Sequence, residues 1–223
     1  MKWLNKLERK FGKYAIHNLI LLLTVSMACV VVLDLYAAAS HATFSITSYL
    51  AFDRDLILQG QIWRLISFVI MPPAASIIFI IFVLYMFYLF GKSLEDHWGS
   101  FKLNVYYLIG IIGTIIGGFI TGSATNLYIN LSLFLAFAVI YPDYKIMVFF
   151  VLPVKVKYLA YIDAGFFVFS LILFPVDSKV ACVFSIINFL LFFGPEFIKR
   201  QKNRQSYRAV QKNFRKEMKK YRT

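Results

Sequence analysis

Charge is what this 223-residue chain has least of where it matters: six long stretches carry almost none. Acids are scarce throughout, eleven against twenty-four Lys and Arg. Histidine occurs three times and cysteine twice, with no spacing that would gather His, Cys, Asp and Glu around a metal ion, so no metal or other cofactor is expected. A glycine-rich phosphate loop is also missing. Cys29 and Cys182 fall inside apolar stretches with no partner in a loop, which excludes a disulfide framework and leaves them as small packing residues. With 60% hydrophobic residues and a mean hydropathy of +0.70, no room remains for a separate water-soluble domain.

What is present is hydrocarbon-compatible sequence. The six stretches are 19–39, 74–90, 103–122, 127–141, 158–174 and 180–197, several of them near the ~20 residues that cross ~30 Å of bilayer core. Twenty-one of the twenty-four Lys and Arg fall in residues 1–16, 91–102, 142–157 and 198–223, leaving Arg54, Arg64 and Lys179 on the other side. Basic residues concentrate in cytoplasmic segments, so the sequence predicts an all-α polytopic membrane protein with six crossings and both termini in the cytosol. The same bias accounts for the net charge of +13 without a nucleic-acid partner. The first stretch, at about twenty residues, is longer than the ~7 to 15 of a signal-peptide core and reads as a retained helix despite Ala37-Ala38-Ala39.

Three parts follow: a basic amphipathic segment 1–16, a membrane domain 17–197, and a basic amphipathic tail 198–223. In the first, Trp3, Leu7, Phe11 and Tyr14 share a helical face among Lys2, Lys6, Arg9, Lys10 and Lys13; in the tail, Tyr207, Val210, Phe214, Met218 and Tyr221 do the same. Both patterns suit helices lying on an anionic leaflet. The loop 40–73, rich in Phe, Tyr and Leu, is predicted to fold into short helices at the outer interface. Gly113 with Gly117, and Gly118 with Gly122, are small-xxx-small pairs that admit a neighbouring helix closely. The fourth stretch, some fifteen residues at ~1.5 Å each, is too short for lipid on all sides and belongs at the centre of the bundle.

Four blocks carry a family resemblance: Gly60-Gln61-Ile62-Trp63-Arg64; Phe90-Gly91-Lys92-Ser93-Leu94-Glu95 with Gly99-Ser100; the glycine-rich third stretch; and Tyr141-Pro142-Asp143 followed by 149–155. In order and spacing the chain resembles the rhomboid superfamily over roughly residues 15–197. The resemblance implies a six-helix bundle with a short inner fourth helix and a surface that accepts transmembrane helices of other proteins. It implies structural roles for Gly60, Gln61, Trp63, Arg64, Gly91 and Pro142, and for Glu95 as a cap on the inner end of the second helix. In active members it would also imply a Ser-His dyad. Here Thr125 to Tyr128 contain no Gly-x-Ser, the run Ala181 to Asn188 contains no His, and Phe79, Phe82 or Val83 stand where polar oxyanion partners belong.

A serine hydroxyl needs a base within hydrogen-bond reach. His17, His41 and His97 all lie outside the fifth and sixth stretches, so Ser123 and Ser132 lack an activator. The remaining polar groups, Asn130 and Ser132 on the fourth helix with Ser185 and Asn188 on the sixth, are expected to hydrogen-bond across the place of the lost dyad. Asp163 is expected to pair with Lys155, Lys157 or the protein interior. The sequence thus reads as a non-catalytic rhomboid-like protein of a bacterial plasma membrane that binds client transmembrane helices, with an atypical serine peptidase or a small transporter or channel as alternatives.

Overall fold

The computed structural model describes residues 2–40, 44–73, 75–148, 152–176 and 178–194; the basic tail and His41 lie outside the described residues. The chain is mostly helical. After α1 (Lys2–Phe11) comes α2 (Leu19–Ala39), then three short helices, α3 (Ile46–Leu50), α4 (Arg54–Leu58) and α5 (Arg64–Ser67). The long α6 (Ile77–Trp98) and α7 (Ser100–Thr121) follow, then α8 (Leu127–Ile140), α9 (Val156–Leu173) and α10 (Ser178–Gly194). By length and composition α2, α6, α7 and α9 can each cross a membrane, while α8 and α10 are shorter apolar helices. Their outward faces are apolar, with Leu22, Val32, Tyr36, Tyr161, Ile162 and Ile172 all exposed. Faces so continuously apolar suit lipid rather than water, as expected of a membrane protein.

The bundle has two distinct ends. At the loop end, β1 (Phe52–Asp53) pairs antiparallel with β2 (Ser123–Ala124), joining the α3–α5 segment to the exit of α7. Asp53 accepts from the N–H groups of Asp55 and Leu56 and so caps α4. At the opposite end, Gly99 with φ +86 turns α6 into α7. Beside that turn lies a ladder of β3 (Lys145–Val148) and β4 (Leu152–Lys155). This hairpin is absent from the sequence prediction, because an apolar run with few polar alternations is silent about strand pairing. Lys155 and Lys157 sit 3.2 and 3.8 Å from Asp143, and the hydrogen bond and charge of Lys155, aided by Lys157, hold that carboxyl below the usual carboxylate range.

The short α8 is the most enclosed element. Half of it is buried, including Tyr128, Ile129, Ser132, Leu133, Ala136 and Phe137, with α6, α7 and α9 packed around it and Ala181 and Cys182 of α10 against Tyr128. Fourteen residues at ~1.5 Å span only about 21 Å, and a helix that short is stable among neighbours that cover its ends. The expected central place of the fourth helix is what the structure has.

Packing departs from the sequence expectation in four places. In α1, Leu4 rather than the Leu7 face is buried, and Glu8 pairs with Lys102 at 3.3 Å, so this helix docks on the start of α7 while Leu7, Phe11 and Tyr14 stay exposed. Cys29 is exposed on α2, whereas Cys182 is buried as expected. Gly113 and Gly117 do admit a neighbour, with Phe184 and Val180 of α10 at 3.1 Å from where a Cβ would stand, but Gly122 meets nothing and instead supplies the left-handed turn at φ +98 after α7. Glu95 lies in the last turn of α6, yet its Oε1 accepts from the Asn18 N–H at 2.8 Å and the Ser100 hydroxyl at 2.7 Å. A carboxylate cannot cap a helix C-terminus, which presents carbonyls; it serves the starts of α2 and α7.

Candidate functional site

The loop end is organised by Arg64. Its guanidinium donates to Gln61 Oε1 at 2.7 Å and to the carbonyls of Ala51 and Ser48 at 2.7 and 2.8 Å, and the residue is almost completely buried. Trp63 donates its indole N–H to the Tyr49 carbonyl at 3.2 Å, and Gly60 turns the chain out of α4 with φ +105. Pro142 follows α8 at the other end, where its carbonyl accepts from the Lys157 N–H at 3.1 Å. Gly91 receives Ile20 of α2. Two anchors were not anticipated from sequence. Asp34, near the loop end of α2, accepts from the Ser45 hydroxyl, the backbone N–H groups of Ile46 and Thr47, and the Thr47 hydroxyl, holding the start of α3. Asn126 donates to the carbonyls of Val69 and Met71 at 3.0 and 2.9 Å, tying the entrance of α8 to the segment before α6. A lone acid inside an apolar run beside Ser and Thr a dozen residues on was the readable signal for Asp34.

The candidate polar residues gather in the middle of the bundle, though by other bonds than expected. Asn130, Ser132, Ser185 and Asn188 do not bond to one another. Two tyrosines of α7 intervene: Tyr106 donates its hydroxyl to Ser132 Oγ at 3.0 Å, and Tyr107 donates to Asn130 Oδ1 at 3.1 Å. Asn188 donates to the backbone carbonyl of Tyr106 at 3.1 Å. The reason is geometric. Gly110, with no side chain, lets Asn188 approach the α7 backbone, and the long Tyr106 side chain, its ring packed on Phe192 of α10, carries its hydroxyl across to Ser132 of α8. Ser132 in turn donates to the Ile129 carbonyl at 2.8 Å, so its proton is committed to the backbone. Tyr106→Phe should therefore lower stability by about 0.6 to 2 kcal/mol, the worth of an interhelical hydrogen bond in a membrane. Thermal unfolding in micelles measures this, with Tyr106 still packed on Phe192 at 4.9 Å as the shape control.

Of the surroundings expected for Asp163, the structure has the protein interior and not the lysines. Lys155 and Lys157 turn to Asp143, while Asp163 faces inward from α9 on the buried stripe Val156, Asp163, Phe167 and Ser170. Its two carboxyl oxygens have no hydrogen-bond partner among the described residues, and the same holds for the hydroxyls of Ser185, Ser170 and Tyr128 and for Asn188 Oδ1. Helix rotation decides this: Asp163 lies seven residues, about two turns, from Val156 and so shares its face, and the rotation that packs Val156 inward also points Asp163 inward and Lys157 away.

Among the described residues no imidazole touches these groups; the ring of His97 stands against Tyr141 at 5.9 Å, at the hairpin end. Among the described residues no three of His, Cys, Asp and Glu are grouped to hold a metal ion. No family model matches the chain, and no curated protein matches it.

Proposed function

We propose that this chain is a rhomboid-like, non-catalytic membrane protein whose bundle crosses the bilayer six times, with the hairpin end in the cytosol, and which binds the transmembrane helices of client proteins. One observation carries the reading: the hydroxyl at the centre of the polar layer, that of Ser132, accepts from a tyrosine and donates to a backbone carbonyl, an arrangement that holds helices together and leaves no proton acceptor to make the oxygen a nucleophile. The orientation is supported by basic residues on α1, beside the α6–α7 turn and on the hairpin, against the three at the loop end. Anionic lipids would be held by this basic end, where Lys10, Lys13 and Lys157 already lie over the rings of Phe11, Tyr14 and Tyr158.

The client-binding part rests on length and exposure. An α8 of about 21 Å leaves the centre of the bundle short of a ~30 Å hydrocarbon layer, and a client helix with poor hydrophobic match is less costly to accommodate against it than in bulk lipid. Leu131 and Leu135 of α8 are half-buried against the cluster of Tyr128, Phe167, Ala181 and Cys182 and would report a guest that enters beside it.

The test is reconstitution in vesicles with a single-span model helix and a photocrosslinker at Leu131 or Leu135. Crosslinking of intact helix, unchanged by Ser132→Ala, is the expected result. Cleavage products that vanish in Ser123→Ala or Ser132→Ala would instead establish a serine peptidase, and absence of any crosslink would remove client binding.

A further inference from the structure

Below the layer where α8, α9 and α10 meet through Tyr128, Phe167, Ala181 and Cys182 lies a second layer that is polar and incompletely bonded. The first is fixed by contact: those residues form one buried cluster, and the Cys182 thiol lies 3.5 Å from the Phe167 carbonyl. One helical turn toward the hairpin end, each helix advances four residues, from Tyr128 to Ser132, from Phe167 to Asp163 and from Ala181 to Ser185. Ser132, Asp163 and Ser185 are therefore brought to one level on facing sides of three helices, and the Tyr106 hydroxyl reaches the same level from α7 through its bond to Ser132. All are at least nine-tenths buried, with Ser132 at 0%, Ser185 at 2% and Asp163 at 6% exposed.

These groups share a level and are buried, yet neither carboxyl oxygen of Asp163 nor the Ser185 hydroxyl reaches a hydrogen-bond partner among the described residues. An ionised carboxylate with no donor, in the interior of an apolar bundle, is among the costliest arrangements a protein can hold. Among the described residues the interior offers no countercharge. Neither α8 nor the inward part of α10 carries a charged side chain; Lys102 of α7 is engaged by Glu8; Lys155 and Lys157 are engaged by Asp143. The other titratable groups on α7, α8, α9 and α10 are Tyr106 and Tyr107 of α7, Tyr128 of α8, Tyr158 and Tyr161 of α9 and Cys182 of α10, all neutral in their ordinary state, with Lys179 in the first turn of α10 at the loop end.

We propose that this layer is a binding site for a single monovalent cation, a proton or a sodium ion, held on Asp163 with Ser185 and the Ser132–Tyr106 pair as neutral oxygen partners. The charge count selects the valence. One carboxylate with only neutral oxygens around it balances one positive charge, whereas a divalent ion would leave an uncompensated charge in the same apolar interior. The donor set selects the class: oxygens alone suit a hard cation, and the one nearby sulfur, that of Cys182, stands a turn away against the Phe167 carbonyl. A bound proton lets the carboxyl donate to Ser185 Oγ or to a bridging water; bound sodium takes both carboxyl oxygens and the serine hydroxyls. Either guest couples α9 to α8 and α10, because Asp163 is the polar group of α9 at the level where those helices converge. This site stands independently of client binding.

The experiment uses the purified full chain and Asp163→Asn, which keeps the shape and removes the charge. Unfolding is followed at pH 7 and above in sodium chloride against choline chloride at equal ionic strength, and the infrared carbonyl stretch of a protonated carboxylic acid is recorded at pH 7. If sodium is the guest, the unfolding midpoint of the native chain rises with sodium and not with choline, and the shift is lost in Asp163→Asn. If the guest is a proton, no sodium dependence appears, and a protonated-carboxyl band is present at pH 7 that disappears in Asp163→Asn. An Asp163 ionised at pH 7, with no protonated band and no sodium dependence in the native chain, overturns the proposal; this last reading needs no variant to fold.

Discussion

Arg64→Ala should cost about 3 kcal/mol and loosen the whole loop end, because truncation of this buried side chain strands three part-buried acceptors at once, and an unsatisfied group costs about 1 to 3 kcal/mol. The acceptors are Gln61 Oε1 and the carbonyls of Ser48 and Ala51, drawn from α5's own approach, from α3 and from the bend before β1. One planar fork closes these segments together, so the loss is cooperative. Arg64→Lys should recover only part of it, since an ammonium cannot present the same fixed set of donors. Trp63→Phe should cost far less: the indole is about half exposed and makes a single bond to the Tyr49 carbonyl. Thermal unfolding, with protease access to residues 44–60 as a local readout, separates loss of the loop from loss of the bundle. Equal losses for Arg64→Ala and Trp63→Phe would show that the buried fork is not what holds this end.

Gly91→Ala is the second large effect, expected at about 1 to 3 kcal/mol from overpacking. A Cβ there would lie 2.5 Å from both Cγ1 and Cγ2 of Ile20, atoms fixed at the branch point of a fully buried side chain. Ile20 cannot swing away, because Asn18, two residues before it at the start of α2, is held by Glu95 through its N–H and by Lys92 through Oδ1. The helices α2 and α6 must part instead. Ile20→Ala added to Gly91→Ala should recover stability relative to Gly91→Ala alone, a coupling that an additive pair would not show. By contrast, Gly165→Ala on α9, where an added Cβ meets nothing within 4 Å, should leave stability unchanged or slightly higher.

The readable parts of this protein are those written in a single helix at a time. Hydropathy marked α2, α6, α7 and α9, and the shortness of the fourth stretch marked α8 as an inner helix. Gly113 and Gly117 pointed to a close neighbour without naming it; that it is Phe184 follows only from the packing of α10. The candidate polar residues were legible as types and depths, since Asn130, Ser132, Ser185 and Asn188 stand out in apolar runs. Their bonds were not legible. Tyr106 and Tyr107 look like ordinary aromatic residues in a row of them, and only their rotation toward α8 makes them the partners of Ser132 and Asn130.

Misjudged charges share one cause. Glu95 near its own helix end, and Asp163 near two lysines in sequence, invite pairing by proximity along the chain. In space, Glu95 meets the start of α2, seventy-seven residues away, and Asp163 points into the bundle while its lysine neighbours reach Asp143.

Composition and periodicity determined by themselves that the chain is helical, that its long runs suit hydrocarbon, and that no histidine stands on the last two helices, because hydropathy and residue identity are properties each segment carries alone. Only the tertiary structure decided which faces turn inward, which tyrosine meets which serine, and that an aspartate is left in the interior without a donor. Those outcomes depend on the rotation and register of one helix against another, a sum of many packing contacts between residues far apart in sequence, and no segment encodes that sum locally.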